Sequence, residues 1–360
     1  MMDFALAERQ QAVADLAAQV LAGADPWKEL AQAGLLDVSP PDGLGVLDAA
    51  VLLTQIGRNA PSLQALATLM TGALPVARWG DADLQQALLP GVASGELLLT
   101  AALREPSHPE PAPPATAITN GTITGIKVGV LYAAEAHRLL IPAARTPASS
   151  MIVNSSGQIA PETVHDHGVA LVDPSAEGVT LTRTPSSSGQ PEYTVRMKGA
   201  PVEGMLGGAE CARDLYQLAV AGACALADGA VAGALALTRD HVATREQFGR
   251  PLAAFQAVSQ QVADTYIASR TMHLATLAAC WRLAREGGRG GGWVDAAADL
   301  DVAGYWCAEQ APRTVRICHH LHGGLGMDVS YPLHQFSSLV ADLVRFLGGA
   351  DYRLDLCSST

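Results

Sequence analysis

The sequence predicts a mainly α-helical protein with a β-rich region in its middle. Apolar residues recur at helical spacing from residue 4 to about residue 95, and this spacing returns at Gly207 and persists to the C-terminus. Between residues 98 and 201, short runs rich in β-branched residues replace it. A chain of 360 residues has room for two or three domains. We therefore expect a helical domain over 1–97, a β-domain over 98–202 and a helical domain over 203–360.

The first helical region shows its period most clearly between Leu47 and Ile56. Leu47, Ala50 and Val51 follow one another at intervals of three and four, which places them on one helix face. A cluster of helix-breaking residues precedes this run and predicts a loop between two helices. The cluster consists of Pro40, Pro41, Gly43 and Gly45.

The middle region begins with a short apolar run and a proline-rich segment. The prolines exclude a helix there, because each lacks a backbone donor and clashes with the preceding turn; they are Pro106, Pro109, Pro111, Pro113 and Pro114. Strands are predicted at 122–128, 139–141, 168–172 and 179–182. The pair Asn120 and Gly121 favours a tight turn between two strands.

The third region contains a segment, 215–238, that is long and apolar enough to resemble a membrane span. It is mostly Ala and Gly, and Asp228 lies near its centre. A central aspartate costs about 2.5–3.5 kcal/mol on insertion scales, so we predict a helix buried in a bundle and no membrane insertion. Its small side chains would let neighbouring helices approach closely.

A glycine-rich tract at 287–292 interrupts the helical pattern. It lacks the Lys-Ser/Thr ending and the preceding strand of a phosphate-binding loop. We therefore predict a connection between two helices.

Composition excludes several classes of protein. The formal charge is −12 and the 23 basic residues form no run, which opposes binding to nucleic acid. Six cysteines lie beyond residue 210 without a Cys-x-x-Cys pair, so we expect reduced thiols, no metal site and a cytoplasmic protein. Residues 1–10 lack the basic patch and apolar run of a signal peptide.

Two motifs in the third region are more specific. The first reads Thr-Arg-Glu-Gln-Phe-Gly-Arg-Pro-Leu over 244–252, and Phe-Gln-Ala-Val follows over 255–258. The second reads His-Leu-His-Gly-Gly-Leu-Gly-Met over 320–327. In order and spacing the pair resembles the C-terminal signatures of the acyl-CoA dehydrogenases.

This resemblance extends over nearly the whole chain. It implies a helical N-terminal domain, a small β-barrel or sandwich and a C-terminal four-helix bundle, in subunits that form dimers or tetramers. It also implies FAD bound across subunit contacts, an acyl-CoA substrate oxidised at its Cα–Cβ bond, and an electron-transfer flavoprotein as acceptor. The residues implied at the cofactor are Arg245, Gln247, Phe248, Leu252, Phe255, His320, Gly323 and Gly324.

Elementary chemistry supports several of these roles. The guanidinium of Arg245 can donate two parallel hydrogen bonds to a pyrophosphate. Phe248 and Phe255 offer flat apolar contact, and Gly323 and Gly324 let a ligand approach the backbone. Taken singly, each has a structural explanation: an arginine paired with an acid, a phenylalanine in the core, or glycines that end a helix. Their joint spacing favours cofactor binding.

The catalytic base of the family is absent at both of its known positions. The family places a glutamate either in a Tyr-Glu-Gly segment near the C-terminus, which aligns with Leu347-Gly348-Gly349, or 26 positions upstream of Arg245, where this chain has Ala219. Neither Gly348 nor Ala219 can accept a proton. Asp228 and Asp351 are the nearest substitutes in sequence.

The flavin-ring motifs also depart from the family. Arg104-Glu105-Pro106 stands where Thr-Glu-Pro is usual, without the Gly-Ser-Asp that follows it, and Val128-Gly129-Val130 aligns with Trp-Ile-Thr. His320 replaces a glutamine that precedes the glycine pair. The losses thus concentrate where a subunit holds its own flavin ring and base, whereas the retained residues are those lent to a neighbour's FAD.

This asymmetry resembles one chain of the α2β2 acyl-CoA dehydrogenases of actinobacterial steroid side-chain breakdown. We expect the non-catalytic, partner-assisting chain, with the base supplied by a paralogous catalytic subunit. Two alternatives stay open: a self-sufficient homotetramer that uses Asp228 or Asp351 as base, and a cofactor-free scaffold.

Overall fold

The structure, a computed structural model, describes residues 6–59, 62, 64–111, 113–145, 151–153, 159–161, 166–285 and 296–359. Its first part is helical, as predicted. The helices are α1 (Glu8–Val20), α2 (Pro26–Gln32), α3 (Val46–Asn59), a π-helical segment (Leu66–Ala73) that runs into α4 (Leu74–Trp79), and α5 (Ala82–Ala93). The loop predicted around Pro40 lies between α2 and α3.

Local sequence accounts for two of these helix starts. Asp25 accepts a hydrogen bond from the backbone N–H of Lys28, and Pro26 occupies the first turn of α2, where its missing donor costs nothing. At α5, Asp81 accepts from the N–H of Leu84 at 2.9 Å. Both carboxylates also face the positive end of the helix dipole.

The middle of the chain forms strands. They are β1 (Leu99–Ala101), β2 (Ala117–Thr119), β3 (Thr122–Leu131), β4 (Arg138–Arg145), β5 (Met151–Val153), β6 (Ile159–Pro161), β7 (Asp166–Val172), β8 (Val179–Arg183), β9 (Glu192–Pro201) and β10 (Gly204–Gly207). The main sheet runs β10-β7-β4-β2-β3-β9-β8, with β1 parallel to β4, and β5 pairs with β6 separately. All four predicted strands are present, and Asn120 and Gly121 make the predicted turn with φ values of 52° and 78°.

Helices return at Ala209. They are α6 (Ala209–Thr244), α7 (Gln256–Ala284), α8 (Ala297–His322), α9 (Leu333–Phe346) and α10 (Ala350–Ser359). A short hairpin, β11 (Glu246–Gln247) and β12 (Arg250–Pro251), and a 3₁₀ turn at Leu252–Ala254 join α6 to α7. A second 3₁₀ turn, Gly323–Met327, follows α8. The tract at 287–292 lies outside the described residues, so its predicted role stays a prediction.

Helix α6 is the centre of the core. Although it is long and apolar enough to cross a membrane, 89% of its most apolar stretch is buried inside the protein, which is typical of a core helix. It packs against α3, α7, α8 and α9. The prediction of a buried bundle helix is thus confirmed. A second apolar cluster, built from Ile123, Leu139, Val195 and their neighbours, lies within the sheet.

Glycines set the distance between α3 and α6. A Cβ on Gly229 would lie 2.0 Å from the carbonyl oxygen of Thr54, and one on Gly57 would lie 2.2 Å from that of Leu226. Neither backbone oxygen can move aside without moving its helix. Glycine at both crossing points therefore allows the two helices to pack backbone to backbone.

Candidate functional site

The hairpin between α6 and α7 projects the first predicted motif into solvent. Arg245 ends α6: its N–H donates to the His241 carbonyl at 2.8 Å and its carbonyl accepts from the Leu252 N–H at 2.8 Å. Phe248 and Gly249 form the turn with φ values of 53° and 77°, which is the twist that two-residue hairpins require. A phenylalanine at positive φ is uncommon and carries backbone strain.

Side chains of this hairpin point away from the protein. Phe248 is 93% exposed, and its ring meets that of Phe255 edge-on at a centroid distance of 6.2 Å. The Cζ atom of Arg250 lies 4.1 Å above the Phe255 ring. Arg245 is exposed, and its guanidinium makes no hydrogen bond or ion pair with the residues that the structure describes. A large aromatic and an unpaired cation held out together suit a partner beyond this chain.

The second motif is also accessible from outside the chain. Gly323, with φ of 59°, ends α8 as a helix cap. The alternative explanation, that this glycine ends a helix, is therefore correct. A Cβ built on Gly323 or Gly324 would nevertheless meet nothing within 4 Å. His320 is exposed just before them. The space beside these glycines is available to a ligand outside the chain.

A pair of histidines brings the two motifs together. The rings of His241, in the last turn of α6, and His322, at the end of α8, stack with centroids 4.4 Å apart and planes 18° from parallel. His322 also contacts the Cys318 carbonyl through Nδ1 at 2.8 Å and the Tyr331 hydroxyl through Nε2 at 3.1 Å. The stack therefore places the end of α6, which leads into the first motif, beside the end of α8, which leads into the second. Sequence reasoning missed this stack, although His241 precedes the first motif and His322 lies within the second.

The base position near the C-terminus is a left-handed turn. Gly348 and Gly349 have φ values of 87° and 90°. A Cβ on Gly348 would lie 2.6 Å from the Tyr352 ring and 2.9 Å from Pro109 of the proline-rich segment. This position therefore has neither the carboxylate nor the room for one.

The proline-rich segment is anchored beside that turn. Glu110 pairs with Arg353 of α10, whose side chain is 2% exposed, and Arg353 also contacts Asp301 at 3.4 Å. Burial raises the pKa of Glu110, an effect that the charge of Arg353 opposes. The segment thus packs over the place where the family has its base. Ala219, the second base position, is 2% exposed in the core of α6.

An ionic cluster, Arg104, Glu192, Asp342 and Arg345, fills the cleft between the sheet and α9. Arg345 donates to both carboxylate oxygens of Glu192 at 2.6 Å and to Asp342 at 3.1 Å. Asp342 also accepts from the backbone N–H groups of Ser187 and Ser188 at 2.8 and 2.9 Å. Hydrogen bonding to Glu192 raises the pKa of Arg345 above its usual value. Bidentate geometry of this kind gives strong, specific ion pairs.

Little space remains within the ionic cluster. Arg104 lies against Gly129, 3.4 Å from its built Cβ, and burial followed by the charge of Arg345 lowers the pKa of Arg104. The remaining space among these side chains is about 10 Å³, the lower limit for a single water. Of these residues, Arg104 and Gly129 belong to the two segments that align with the family's flavin-ring motifs. The space left within the ionic cluster is therefore too small for an aromatic ring system.

The two substitute bases lie elsewhere. Asp228 is 3% exposed and accepts the His273 Nδ1 contact at 2.8 Å. The cavities that it lines are formed by residues of α3, α6 and α7 and by Leu6, with none from the sheet. Asp351 is exposed in the first turn of α10. Asp228 is thus a buried structural carboxylate, and neither residue adjoins the cleft between the sheet and α9.

Family models match both helical parts of the chain. Residues 1–96 match the acyl-CoA dehydrogenase N-terminal domain, and residues 210–352 match the acyl-CoA dehydrogenase C-terminal domain. Acyl-CoA dehydrogenase FadE28 of Mycobacterium tuberculosis is 42% identical over 375 aligned positions, with both chains covered completely.

Two solved structures with the same fold are complexes of two different proteins. The ChsE4–ChsE5 complex from Mycobacterium tuberculosis superposes with a TM-score of 0.86 at 28% identity, covering 99% of this chain and 98% of the other. A variant of the Tcur3481–Tcur3483 steroid acyl-CoA dehydrogenase superposes with a TM-score of 0.83 at 30% identity, covering 98% and 97%.

Proposed function

Given that this chain belongs to the acyl-CoA dehydrogenase family, whose cofactor is FAD, we propose that it is the partner-assisting subunit of a heteromeric acyl-CoA dehydrogenase. A paralogous subunit supplies the catalytic base and the flavin-ring site. This chain lends the partner's FAD the exposed face at the ends of α6 and α8.

One observation carries the proposal. The position of the usual base, Gly348, has positive φ and is blocked by Tyr352 and Pro109, while the exposed side chains of Arg245 and Phe248 project from the same chain. A self-sufficient enzyme needs a carboxylate within hydrogen-bond reach of the substrate proton. A scaffold without cofactor has no physical need for an exposed arginine and aromatic on a strained turn.

The roles of this chain's residues follow from their chemistry. Arg245 donates hydrogen bonds to the pyrophosphate, and Phe248 and Phe255 cover a flat ring. Gln247, Leu252 and His320 line the same face, and Gly323 and Gly324 admit the ligand to the backbone. The cofactor itself supplies hydride acceptance from the acyl Cβ. Removal of the α-proton belongs to the partner's base.

Substrate and partners are proposed from the relatives. Both solved structures combine two differently named proteins, and the Tcur3481–Tcur3483 pair is a steroid acyl-CoA dehydrogenase. We therefore assign this chain to an α2β2 complex acting on a steroid side-chain CoA thioester, with an electron-transfer flavoprotein as acceptor. Six free cysteines, five of them buried, suit the reducing cytoplasm.

The test is the flavin content of the complex formed with the co-expressed catalytic partner. Arg245→Ala removes the pyrophosphate clamp, so the purified complex should lose FAD by about tenfold in affinity or more, as expected for a charged hydrogen-bond donor. Arg196→Ala, which removes an exposed arginine from β9, is the matched control and should retain FAD. An Arg245→Ala complex with full flavin content contradicts the proposal and favours the scaffold.

The self-sufficient alternative makes a different forecast. Expressed alone, the chain should then be yellow and oxidise acyl-CoA, and Asp228→Ala or Asp351→Ala should abolish turnover. Under the proposed function the chain alone is colourless and inactive, and in the complex Asp351→Ala leaves turnover intact because this carboxylate is exposed on α10.

A further inference from the structure

Two stacked histidines lie where the two motifs meet: His241 precedes the first motif and His322 belongs to the second. The structure assigns to His241 and His322 the role of positioning residues: their stacked, neutral rings keep the end of α6 in register with the end of α8, and the register loosens as the rings gain protons. The inference rests on the proposed function, since it concerns the face that is lent to FAD.

The contacts of the stack lead directly to both motifs. The backbone carbonyl of His241 accepts the Arg245 N–H at 2.8 Å. The position of His241 therefore fixes the point at which the Arg245 side chain leaves the backbone. His322 is the last residue of α8, and Gly323 follows it directly. A shift of either ring therefore displaces one half of the surface relative to the other.

Hydrogen bonds define the state of the His322 ring. The Cys318 carbonyl can only accept, so Nδ1 carries the proton; in the neutral ring Nε2 then accepts from the Tyr331 hydroxyl. Tyr331 also lies ring to ring with His322 at 5.2 Å. With one face against His241 and both nitrogens bonded, this imidazole is held in a single orientation.

The charged groups around the stack oppose its protonation. His319 on α8 and Arg245 after α6 add positive charge beside the stack, whereas the acid Asp240 interacts with Tyr331. Burial, then the neighbouring His322 and Arg245, lower the pKa of His241. Burial likewise lowers the pKa of His322, against the Cys318 hydrogen bond.

The direction of the pH effect follows from these shifts. A histidine whose folded pKa is lowered binds fewer protons in the folded state than in the unfolded state. Its contribution is complete above the ordinary histidine value of about 6.5 and declines as the pH falls below that value. Two like charges on faces 4.4 Å apart also repel. The register should weaken between about pH 7 and pH 5.

The experiment compares the wild type with two variants, each in the complex with the catalytic partner. FAD release is followed by its fluorescence after equilibration at about pH 7.5 and about pH 5.5. The wild type should release about threefold more FAD at the lower pH. His241→Phe keeps a stacked ring without a titrating charge and should flatten this pH dependence. His241→Ala removes the stack and should release FAD at both pH values.

Controls separate the possible failures. His137→Phe, which replaces an exposed histidine ahead of β4, should keep the wild-type pH profile. The unfolding temperature at the higher pH shows whether each variant is folded. If Arg245→Ala loses FAD while His241→Ala retains it, or if His241→Phe keeps the wild-type profile, the positioning role is wrong. If Arg245→Ala also retains FAD, the proposed function itself fails.

Discussion

At the scale of single residues, Gly348 decides whether this chain can carry its own base. Its φ of 87° costs any other residue about 1–3 kcal/mol, and a Cβ would also lie 2.6 Å from Tyr352. Gly348→Glu should therefore destabilise the chain by at least that amount and give no turnover. Thermal unfolding and an acyl-CoA oxidation assay measure the two effects.

A matched glycine separates backbone strain from the clash. Gly199 has φ of 64°, and a Cβ there meets nothing within 4 Å. Gly199→Glu should lose less stability than Gly348→Glu, because it bears the backbone cost alone. Dehydrogenase activity in the Gly348→Glu chain without a partner would show that the turn can present a base after all.

The sequence could predict the exposure of single residues whose proposed role depends on their own side chain alone. The exposure of Arg245, Phe248 and His320 agrees with lending them to another chain, although their contact with FAD remains a prediction. Long-range pairs were not predictable. Glu105 stands in the altered Thr-Glu-Pro motif; burial raises its pKa, but hydrogen bonds from Lys127 and Thr116 lower it to about 2, and that pairing depends on the sheet.

At the scale of elements, the crossing of α3 and α6 is the tightest constraint. Gly229→Ala would place a Cβ 2.0 Å from the Thr54 carbonyl, so the helices must separate, at a cost of about 1–3 kcal/mol or more. Urea unfolding measures the loss. Gly304→Ala in α8 is the control, because its nearest contact is a side-chain atom of Arg353 at 3.0 Å. Equal stability of the two variants would contradict the close crossing.

Elements with a clear period could be predicted from sequence, and those set by packing could not. The strands at 122–128 and 168–172 follow from β-branched alternation, and the buried α6 follows from its Ala-rich composition with Asp228 at the centre. The π-helical segment Leu66–Ala73 has no such signal. Its residues are all buried, and its geometry depends on neighbours such as Gly222, whose Cβ would meet Met70 at 2.7 Å.

At the scale of the whole molecule, the cleft between the sheet and α9 is filled, whereas the face that carries the two motifs is exposed. The ionic cluster joins Glu192 of the sheet to Arg345 of α9, residues 153 positions apart, so sequence patterns could not reveal that it fills the cleft. The sequence showed that the family motifs are substituted. It did not show which side chains occupy the cleft. The filled cleft and the exposed motif face both support the proposal of a subunit that helps to bind FAD without a flavin-ring site of its own.

The central claim is tested most directly by counting flavins in the assembled complex. Native mass spectrometry gives the number of chains, and flavin absorbance after denaturation gives the number of FAD molecules. The account predicts one FAD for each pair of unlike chains and colourless protein when this chain is purified alone. One FAD for every chain would contradict it, because this subunit's own cleft would then have to hold a flavin ring.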